Sequence, residues 1–228
     1  MTQKTYRELF EAHAGRDVTK WDHYFELYDR YLGPFRDRPI TMMEIGVGYG
    51  GSLELWRAFL GPHAKLVGID INPGCKAYGG EGIEIFIGDQ GNPDFMRDVA
   101  EKTGPFDIIL DDGSHLMGDL RSSFLTLFGA VKPGGLYIAE DLHTCYWRKF
   151  GGGHRVPESF LEDLKGVIDH MHAFHSEDPE TFAVSSFTLT VKGMYFHDSM
   201  AVIEKTMPWE NDTRPDPRPV FAGRRGSL

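Results

Sequence analysis

Short apolar, β-branched runs alternate with stretches of helical periodicity through the middle of the chain. The predicted strands lie at residues 40–45, 65–69, 83–87, 106–110 and 136–139. The predicted helices between them lie at residues 52–60, 93–102 and 116–131. Strands and helices in alternation form right-handed crossover units, which place the strands parallel in one sheet with helices on both faces. The pattern therefore predicts an α/β domain with a mostly parallel sheet.

The pattern changes after the fifth predicted strand. Glycines at residues 151–153 open a loop, and Pro157 begins a predicted helix with one apolar side. Two further β-type runs follow at residues 187–191 and 200–203. Because Gly193, Asp198 and Ser199 lie between these two runs, we expect the runs to form an antiparallel pair at the end of a seven-stranded sheet.

Flanking segments complete the predicted organisation. Aromatic residues and leucines recur at helical spacing ahead of Gly33 and Pro34, so residues 1–36 are expected to form a helical N-terminal segment. The α/β domain is expected to span residues 37–207. Residues 208–228, which are rich in proline, are expected to form an irregular tail.

Composition and charge restrict the partners and the compartment. The chain of 228 residues is 41% hydrophobic, which suffices for one sizeable core. Its formal net charge of −10 disfavours nucleic acid and membrane surfaces, which bind clustered Lys and Arg. No apolar run approaches the roughly 18 to 20 residues that cross a bilayer, and no secretory signal is evident. We therefore expect a cytoplasmic protein with Cys75 and Cys145 reduced.

A glycine-rich loop follows the first predicted strand. Gly46, Gly48 and Gly51 satisfy the spacing G-x-G-x-x-G, which lets the backbone approach a ligand closely. Asp70 ends the second strand, where a carboxylate can accept hydrogen bonds from ribose hydroxyls. The loop thus predicts a ligand that contains a nucleoside. On the loop alone, NAD is an equally good ligand, and a tight turn without a ligand stays open.

Three further features favour S-adenosylmethionine over a dinucleotide. Glu44 precedes the loop, where a carboxylate can orient the glycines and meet the ammonium group of the methionine part. Asp89 ends the third strand, where it can accept a hydrogen bond from the adenine amino group. The terminal antiparallel pair is what class I methyltransferases add to a Rossmann-like sheet. The residues expected to bind the cofactor are Glu44, Gly46, Gly48, Ser52, Asp70, Asp89 and Gln90.

Acidic residues and histidines follow the next two predicted strands. Asp112 and His115 follow the fourth strand. Glu140, Asp141 and His143 follow the fifth. These strand ends meet at the ligand-binding edge of an open sheet, where clustered carboxylates repel one another unless a cation lies among them. Oxygen ligands suit Mg²⁺. Helix capping could also explain such residues, but it accounts for neither the acidic pair nor both histidines.

Several runs of the sequence, taken together, carry a family resemblance. They are EIGVGYGGSLELW, GIDINP, IGDQGNPDF, ILDDGSH, IAEDLHT and FHDSMAVIEK. These runs are similar to the Mg²⁺-dependent sugar O-methyltransferases of antibiotic biosynthesis. The resemblance implies methyl transfer from S-adenosylmethionine to a sugar hydroxyl of a glycosylated natural product. It also implies that Asp112, Glu140 and Asp141 bind the metal, that His115 is the general base and that Asp111 faces the cofactor.

The implied reaction is an in-line displacement from a sulfonium to a hydroxyl oxygen, so the acceptor must be aligned and deprotonated. If two vicinal hydroxyls chelate Mg²⁺, the ion lowers the pKa of the attacking hydroxyl, and His115 takes its proton. His143 is the second candidate for a catalytic role. A Mg²⁺-dependent O-methyltransferase of catechols or phenolic diols would share the fold and the metal. A nucleotide-binding module without catalysis and an NAD-dependent oxidoreductase also fit parts of the pattern.

The N-terminal segment bears on the assembly of the protein. The larger macrolide enzymes of the resembled family carry an additional N-terminal domain, whereas this sequence shows a short helical segment at residues 5–32. Tyr24, Tyr28 and Tyr31 in this segment are exposed unless the core or a neighbour covers them. We therefore expect a homo-oligomer that binds a small-molecule glycoside, without nucleic-acid or membrane partners.

Overall fold

One sheet runs through the centre of the chain and follows the alternating pattern of the sequence. The computed structural model describes residues 3–206. Its strands are β1 (Thr41–Ile45), β2 (Lys65–Asp70), β3 (Ile83–Ile87), β4 (Phe106–Asp111), β5 (Val131–Ala139), β6 (Val191–His197) and β7 (Met200–Lys205). They form a seven-stranded sheet in the order β3-β2-β1-β4-β5-β7-β6. Strands β1 to β5 are parallel, and β7 is antiparallel to β5 and β6, so the expected Rossmann-like methyltransferase fold is confirmed.

Helices cover both faces of the sheet. They are α1 (Tyr6–Glu11), α2 (Tyr24–Leu32), α3 (Gly51–Leu60), α4 (Pro93–Thr103), α5 (Met117–Leu127), α6 (Phe160–Met171) and α7 (Ser186–Thr190). Tyr6, Tyr28 and Trp56, from α1, α2 and α3, are buried together in the core on one face. Phe124 of α5 and Phe160 of α6 are buried in the core on the other. Removal of this apolar surface from water is the main force that holds the helices to the sheet.

The structure contradicts the strand predicted at residues 187–191. Most of that run forms the short helix α7, and β6 starts only at Val191. Ser185 caps the helix, because its side chain accepts a hydrogen bond from the Thr188 N–H while the Thr188 hydroxyl accepts one from the Ser185 N–H. Reciprocal capping of this kind stabilises a first helical turn even where the sequence is rich in β-branched residues.

The predicted N-terminal helical segment is interrupted. Helices α1 and α2 are separated by residues 12–23, which we call the strap. The strap approaches the start of α3 closely, because Gly51 has no side chain and a Cβ there would lie 2.3 Å from the Arg16 carbonyl oxygen. Tyr24 and Tyr28 beyond the strap are buried in the core of the same chain. Their aromatic surface therefore gives no reason for an oligomer.

Three smaller points complete the description of the chain. Helix α6 begins at Phe160 rather than at Pro157, because Ser159 is still extended and is the N-cap residue. The irregular tail predicted at residues 208–228 lies outside the described residues. Within residues 3–206, no helix combines the length and the apolar content that a membrane span needs.

Candidate active site

The carboxyl ends of β1, β2, β4 and β5 lie side by side along one edge of the sheet. Ile45 at the end of β1 pairs with Ile69 of β2 and with Asp111 of β4. Asp111 pairs in turn with Ala139 at the end of β5. The glycine loop, the DDGSH run and the acidic pair at residues 140–141 therefore leave the sheet at the same edge, where ligands bind in open α/β sheets.

A cavity of about 610 Å³ lies at this edge, and its volume is typical of a site for a small molecule. Most of the residues expected to bind the cofactor line it, namely Gly46, Gly48, Ser52, Asp70, Asp89 and Gln90. Residues 17–20 of the strap line it as well. Gly46 has a φ of +92°, and a Cβ there would lie 2.1 Å from the Asp112 carbonyl oxygen. Glycine is thus required where the loop passes the end of β4.

Two carboxylates at the cavity wall are oriented by backbone donors. Asp70 Oδ2 accepts a hydrogen bond from the Gly48 N–H at 2.9 Å, and Asp70 Oδ1 accepts one from the Asn72 N–H at 2.8 Å. Asp89 Oδ1 accepts a hydrogen bond from the Gly91 N–H at 2.8 Å. Each carboxylate oxygen has a second lone pair, so both side chains can still accept hydrogen bonds from a ligand.

Glu44 was expected to meet the cofactor, but it is buried and does not line the cavity. Its carboxylate accepts hydrogen bonds from the Ser52 hydroxyl at 2.8 Å and from the Trp56 indole N–H at 2.9 Å. Burial raises the pKa of Glu44 to about 7, against the opposing effect of the Lys20 charge. The carboxylate therefore orients Ser52, which does line the cavity. Direct contact between Glu44 and the cofactor stays a prediction.

Asp111 is likewise buried and absent from the cavity wall. It accepts hydrogen bonds from the Tyr137 hydroxyl at 2.7 Å and from the Gln90 amide at 3.1 Å. Burial raises the pKa of Asp111 to about 7, although these donors oppose the shift. The Gln90 carbonyl oxygen in turn accepts a hydrogen bond from the Ser114 N–H at 2.6 Å. Asp111 thus fixes Gln90, and Gln90 fixes the loop that follows β4.

Asp112, His115 and Asp141 form a group of side chains that can bind a cation, which we call the cation cluster. Each offers a ligand atom, and these atoms lie within 4.8 Å of one another. His115 and Asp141 have φ values of 58° and 55°, a backbone conformation that costs free energy outside glycine and is common at functional sites. The buried His115 Nδ1 has no hydrogen-bond partner within residues 3–206. Two carboxylates beside this imidazole fit a divalent cation such as Mg²⁺.

Glu140, expected as a third metal ligand, is buried and lies outside the cation cluster. Lys20 Nζ lies 2.7 Å from Glu140 Oε2 and 2.6 Å from Asp112 Oδ2, and the Tyr28 hydroxyl donates to Glu140 Oε1 at 2.5 Å. Burial alone would lower the pKa of Lys20, but the two carboxylates raise it well above its usual value. Glu140 is therefore paired with a cation of its own chain, and its role as a metal ligand stays a prediction.

The strap and α2 contribute partners that the sequence reasoning missed. The Trp21 indole N–H and the Tyr24 hydroxyl each donate to Asp141 Oδ1 at 3.0 Å. Lys20, Tyr24 and Tyr28 follow one another at intervals of four residues, a spacing that places side chains on one face of a helix. This spacing was the sequence signal for Lys20, because it places the lysine in line with apolar aromatic side chains. A lysine buried among such side chains needs carboxylate partners.

His143, the second catalytic candidate, lies beside the cation cluster rather than within it. Its Nδ1 lies 2.6 Å from the Ser199 hydroxyl, which also accepts a hydrogen bond from the His143 N–H at 3.1 Å. Its ring packs edge to face against Trp147, with the centroids 4.7 Å apart. The Ser199 hydroxyl and the Trp147 indole therefore hold the His143 ring in position. A catalytic role for His143 stays a prediction.

Sequence comparisons relate the chain to enzymes that methylate sugars. No family model matches it. It is 35% identical over 224 residues to the 8-demethyl-8-alpha-L-rhamnosyl tetracenomycin-C 2'-O-methyltransferase of Streptomyces olivaceus, with 86% of this chain and 57% of that protein covered. It is 36% identical over 190 residues to the mycinamicin VI 2''-O-methyltransferase of Micromonospora griseorubida, with 78% and 47% covered. The chain thus spans about half the length of these curated relatives.

Solved structures lead to the same enzymes. The MycE methyltransferase of the mycinamycin biosynthetic pathway, in complex with Mg and SAH, superposes with a TM-score of 0.83 at 30% identity, covering 90% of this chain and 55% of that one. A second structure of MycE contains Mg, SAH and mycinamycin VI and gives a TM-score of 0.81. The resemblance noted in the sequence is therefore confirmed, and the chain is a homologue of the sugar O-methyltransferases of antibiotic pathways.

Proposed function

We propose that the protein transfers a methyl group from S-adenosylmethionine to a hydroxyl of a sugar on a glycosylated natural product, with the help of Mg²⁺. One observation carries this proposal. Asp112 lines the 610 Å³ cavity and also belongs to the cation cluster. A methyl donor in the cavity and a hydroxyl at the cluster would thus be neighbours. The homologues named for sugar O-methylation support the same assignment.

The cavity would hold S-adenosylmethionine through three kinds of contact. The backbone at Gly46 and Gly48 permits close approach of the methionine part, as in other Rossmann-like sites. Asp70 accepts hydrogen bonds from the ribose hydroxyls, and charge-assisted hydrogen bonds of this kind are strong. Asp89 would accept a hydrogen bond from the adenine amino group, and Gln90 lines the same cavity next to it. Glu44 orients Ser52 by accepting a hydrogen bond from its hydroxyl, and direct contact of Glu44 with the methionine part stays a prediction.

The cation cluster would hold the metal. Asp112 and Asp141 supply carboxylate oxygens, and Glu140 is the further ligand that the family resemblance implies. Bound Mg²⁺ supplies positive charge that makes a chelated sugar hydroxyl more acidic. Within the chain, Trp21 and Tyr24 keep Asp141 in place through hydrogen bonds to Oδ1. Lys20 does the same for the Asp112 carboxylate.

His115 is the proton acceptor in this proposal. Its Nε2 lies 3.8 Å from Asp112 Oδ1 and 3.6 Å from Asp141 Oδ2, so the imidazole would lie beside a hydroxyl held at the cation cluster. The proton of the attacking hydroxyl moves to the imidazole as the oxygen–carbon bond forms and the carbon–sulfur bond breaks. Both nearby carboxylates stabilise the imidazolium that results. General-base catalysis of this kind requires hydrogen-bond reach between imidazole and hydroxyl.

An acceptor panel tests sugar methylation against phenolic methylation and against binding without catalysis. The protein is incubated with S-adenosylmethionine, Mg²⁺ and, separately, an aryl α-L-rhamnoside, a glycosylated macrolide and a catechol, and the products are analysed by mass spectrometry. We expect methylation of a glycoside on its sugar. Methylation of the catechol alone would establish a phenolic O-methyltransferase. Binding of the cofactor without any methylated product would favour a non-catalytic module.

We further propose that the enzyme works as a homo-oligomer in the cytoplasm, without nucleic-acid or membrane partners. Support for association comes from the edge strand β6, where Tyr195 and Phe196 are exposed. The net charge of −10 favours a small-molecule partner over a polyanion. Light scattering at working concentration tests the oligomer, and a monomeric mass would refute it.

A further inference from the structure

Four aromatic side chains form a continuous row beside the cation cluster. The ring centroids are 5.6 Å apart for Trp21 and His143, and 4.7 Å apart for His143 and Trp147. Trp147 continues the row to Phe150, with the centroids 6.0 Å apart. We call these four residues the aromatic collar. Nothing in the cofactor cavity accounts for it, since none of the four lines that cavity.

Both ends of the collar meet the cation cluster. The Phe150 ring lies 6.3 Å from the His115 ring. At the other end, the Trp21 indole N–H donates to Asp141 Oδ1 at 3.0 Å. His115 and Asp141 are themselves 3.6 Å apart, between Nε2 and Oδ2. The contacts therefore form a closed ring of side chains. The four residues of the collar form most of this ring, and His115 and Asp141 of the cation cluster complete it.

The two indoles of the collar are open to solvent. Trp21 is 50% exposed and Trp147 is 45% exposed, whereas tryptophan is highly buried on average in folded proteins. The ammonium of Lys149 lies 4.9 Å from the ring centroids of both Trp147 and Phe150. An exposed group of aromatic rings next to polar groups that can bind an ion is typical of a ligand site, where a few polar atoms orient a largely apolar ligand.

The rings of the collar are tilted rather than parallel, and this geometry bears on the shape of the ligand. The interplanar angle is 79° between Trp21 and His143, 66° between His143 and Trp147, and 33° between Trp147 and Phe150. Parallel plates would favour a flat aromatic ligand stacked between them. Tilted rings instead present their electron-rich faces to a puckered ligand that carries C–H groups on several sides.

Polar contacts hold two members of the collar in position. The indole of Trp21 is fixed by Asp141, and the imidazole of His143 lies 2.6 Å from the Ser199 hydroxyl. A site whose side chains are already oriented loses less conformational entropy when its ligand binds. The collar is therefore preorganised on the side that adjoins Asp141.

We propose that the aromatic collar is the acceptor subsite and binds the pyranose ring of a glycoside. The C–H groups of the sugar pack against Trp147 and its neighbours, and its vicinal hydroxyls point to the cation cluster. The rest of the natural product extends toward solvent over the exposed indoles. This proposal rests on the proposed function and names the part of the substrate that the chain recognises.

The test uses methyl α-L-rhamnopyranoside as the probe, titrated at millimolar concentration into protein loaded with S-adenosylhomocysteine and Mg²⁺. Saturation-transfer NMR reports which ring protons touch the protein. We expect transfer to the sugar C–H protons and a dissociation constant about tenfold weaker in Trp147→Ala, as the loss of one aromatic contact implies. Trp147→Phe, which keeps an aromatic face, should bind nearly as well as the wild type.

Tyr146→Ala is the matched control, because Tyr146 is an exposed neighbour in sequence that has no ring contact with the collar among the described contacts. It should bind the probe like the wild type. Equal binding by Trp147→Ala and the wild type would overturn the proposal, as would absence of transfer to the wild type or preferential binding of catechol. Calorimetric titration of every variant with S-adenosylhomocysteine separates the proposed acceptor subsite from the proposed function. If the wild type failed to bind S-adenosylhomocysteine, the proposed function itself would be refuted.

Discussion

The two halves of the carboxyl edge are built in different ways. On the cofactor side, the glycine loop follows β1, Asp70 ends β2 and Asp89 follows β3, and backbone N–H groups of the loops after these strands orient both carboxylates. On the cation side, the carboxylates after β4 and β5 are held by the strap and α2. Lys20 lies 92 residues from Asp112 and 120 residues from Glu140 along the chain. Local loops thus orient the carboxylates of the cofactor side, although the strap also lines the cavity, whereas the carboxylates of the cation side are held by a distant segment.

The two sides also differ in the partners of their buried carboxylates. Glu44 and Asp111 are buried and receive hydrogen bonds from neutral donors, and burial raises the pKa of each to about 7. Glu140 is equally buried, and burial raises its pKa to about 8, but its carboxylate differs from the other two in having an ammonium partner at 2.7 Å. An ion pair taken out of water is maintained only if it is well paired, and loss of one partner leaves an uncompensated charge. We therefore expect single substitutions on the cation side to lower the stability of the fold more than those on the cofactor side.

The largest expected effect concerns the chemistry on the cation side. His115→Ala should lower turnover by about 10² to 10⁴, because a general base contributes about that much. Affinity for S-adenosylhomocysteine should stay nearly unchanged, since His115 does not line the cavity. Steady-state kinetics and calorimetry measure the two quantities. His172→Ala, on an exposed residue, is the control. If His115→Ala kept wild-type turnover, the base would have to be sought elsewhere, with His143 next.

The second prediction concerns the dependence of the cation side on the strap. Lys20→Met should lower the free energy of unfolding by about 3–5 kcal/mol, because the Lys20 side chain is 3% exposed and its loss leaves Asp112 and Glu140 without their cation. Denaturation in urea measures the change.

Lys102→Met is the matched control for this variant. Lys102 pairs with Asp98 on the exposed surface of α4, and the loss of an exposed ion pair costs about 0–1 kcal/mol. If both variants were destabilised equally, the strap would not stabilise the cation side in the way described.

The third prediction distinguishes residues that bind the cofactor from residues that bind the metal. Asp70→Ala should weaken S-adenosylhomocysteine about ten- to hundredfold, the equivalent of one lost hydrogen bond to a charged group. Asp112→Asn should lose turnover while it retains cofactor affinity. Calorimetric titration with S-adenosylhomocysteine measures the cofactor affinity of both variants. Equal loss of cofactor affinity in both variants would mean that the division between cofactor and metal residues is wrong.

The smallest effect concerns the buried carboxylate of the cofactor side. Burial raises the pKa of Glu44 from 4.5 to about 7 in the folded chain. Between these values the unfolded chain releases a proton that the folded chain keeps, so this contribution to stability is present at low pH and is lost as pH rises toward 7. The stability of the wild type relative to Glu44→Gln should therefore fall by about 2–3 kcal/mol between about pH 5 and pH 8.

Urea denaturation at both pH values measures the difference, and Glu101→Gln, on an exposed residue of α4, is the control. A difference between the wild type and Glu44→Gln that does not change with pH would contradict the stated burial effect.

The cofactor side was predictable because its determinants are local. The spacing of Gly46 and Gly48, and the placement of Asp70 after a strand, follow from short-range pattern and sheet topology alone. Lys20 was missed, since its partners are distant in sequence and a lone lysine normally lies in solvent, and its four-residue spacing from Tyr24 and Tyr28 was the one signal available. The helix α7 was missed for another reason, because capping by Ser185 outweighs the β-type composition of the run that follows.

The most direct test of the account is formation of S-adenosylhomocysteine in the presence of a glycoside acceptor, measured with Mg²⁺, with excess EDTA and after Mg²⁺ is restored. Because Asp112, His115 and Asp141 converge in the cation cluster, and Asp112 also lines the cofactor cavity, we expect turnover with Mg²⁺, none in EDTA and recovery on restoration. Full turnover in EDTA would contradict the metal-assisted mechanism and the role given to the cation cluster.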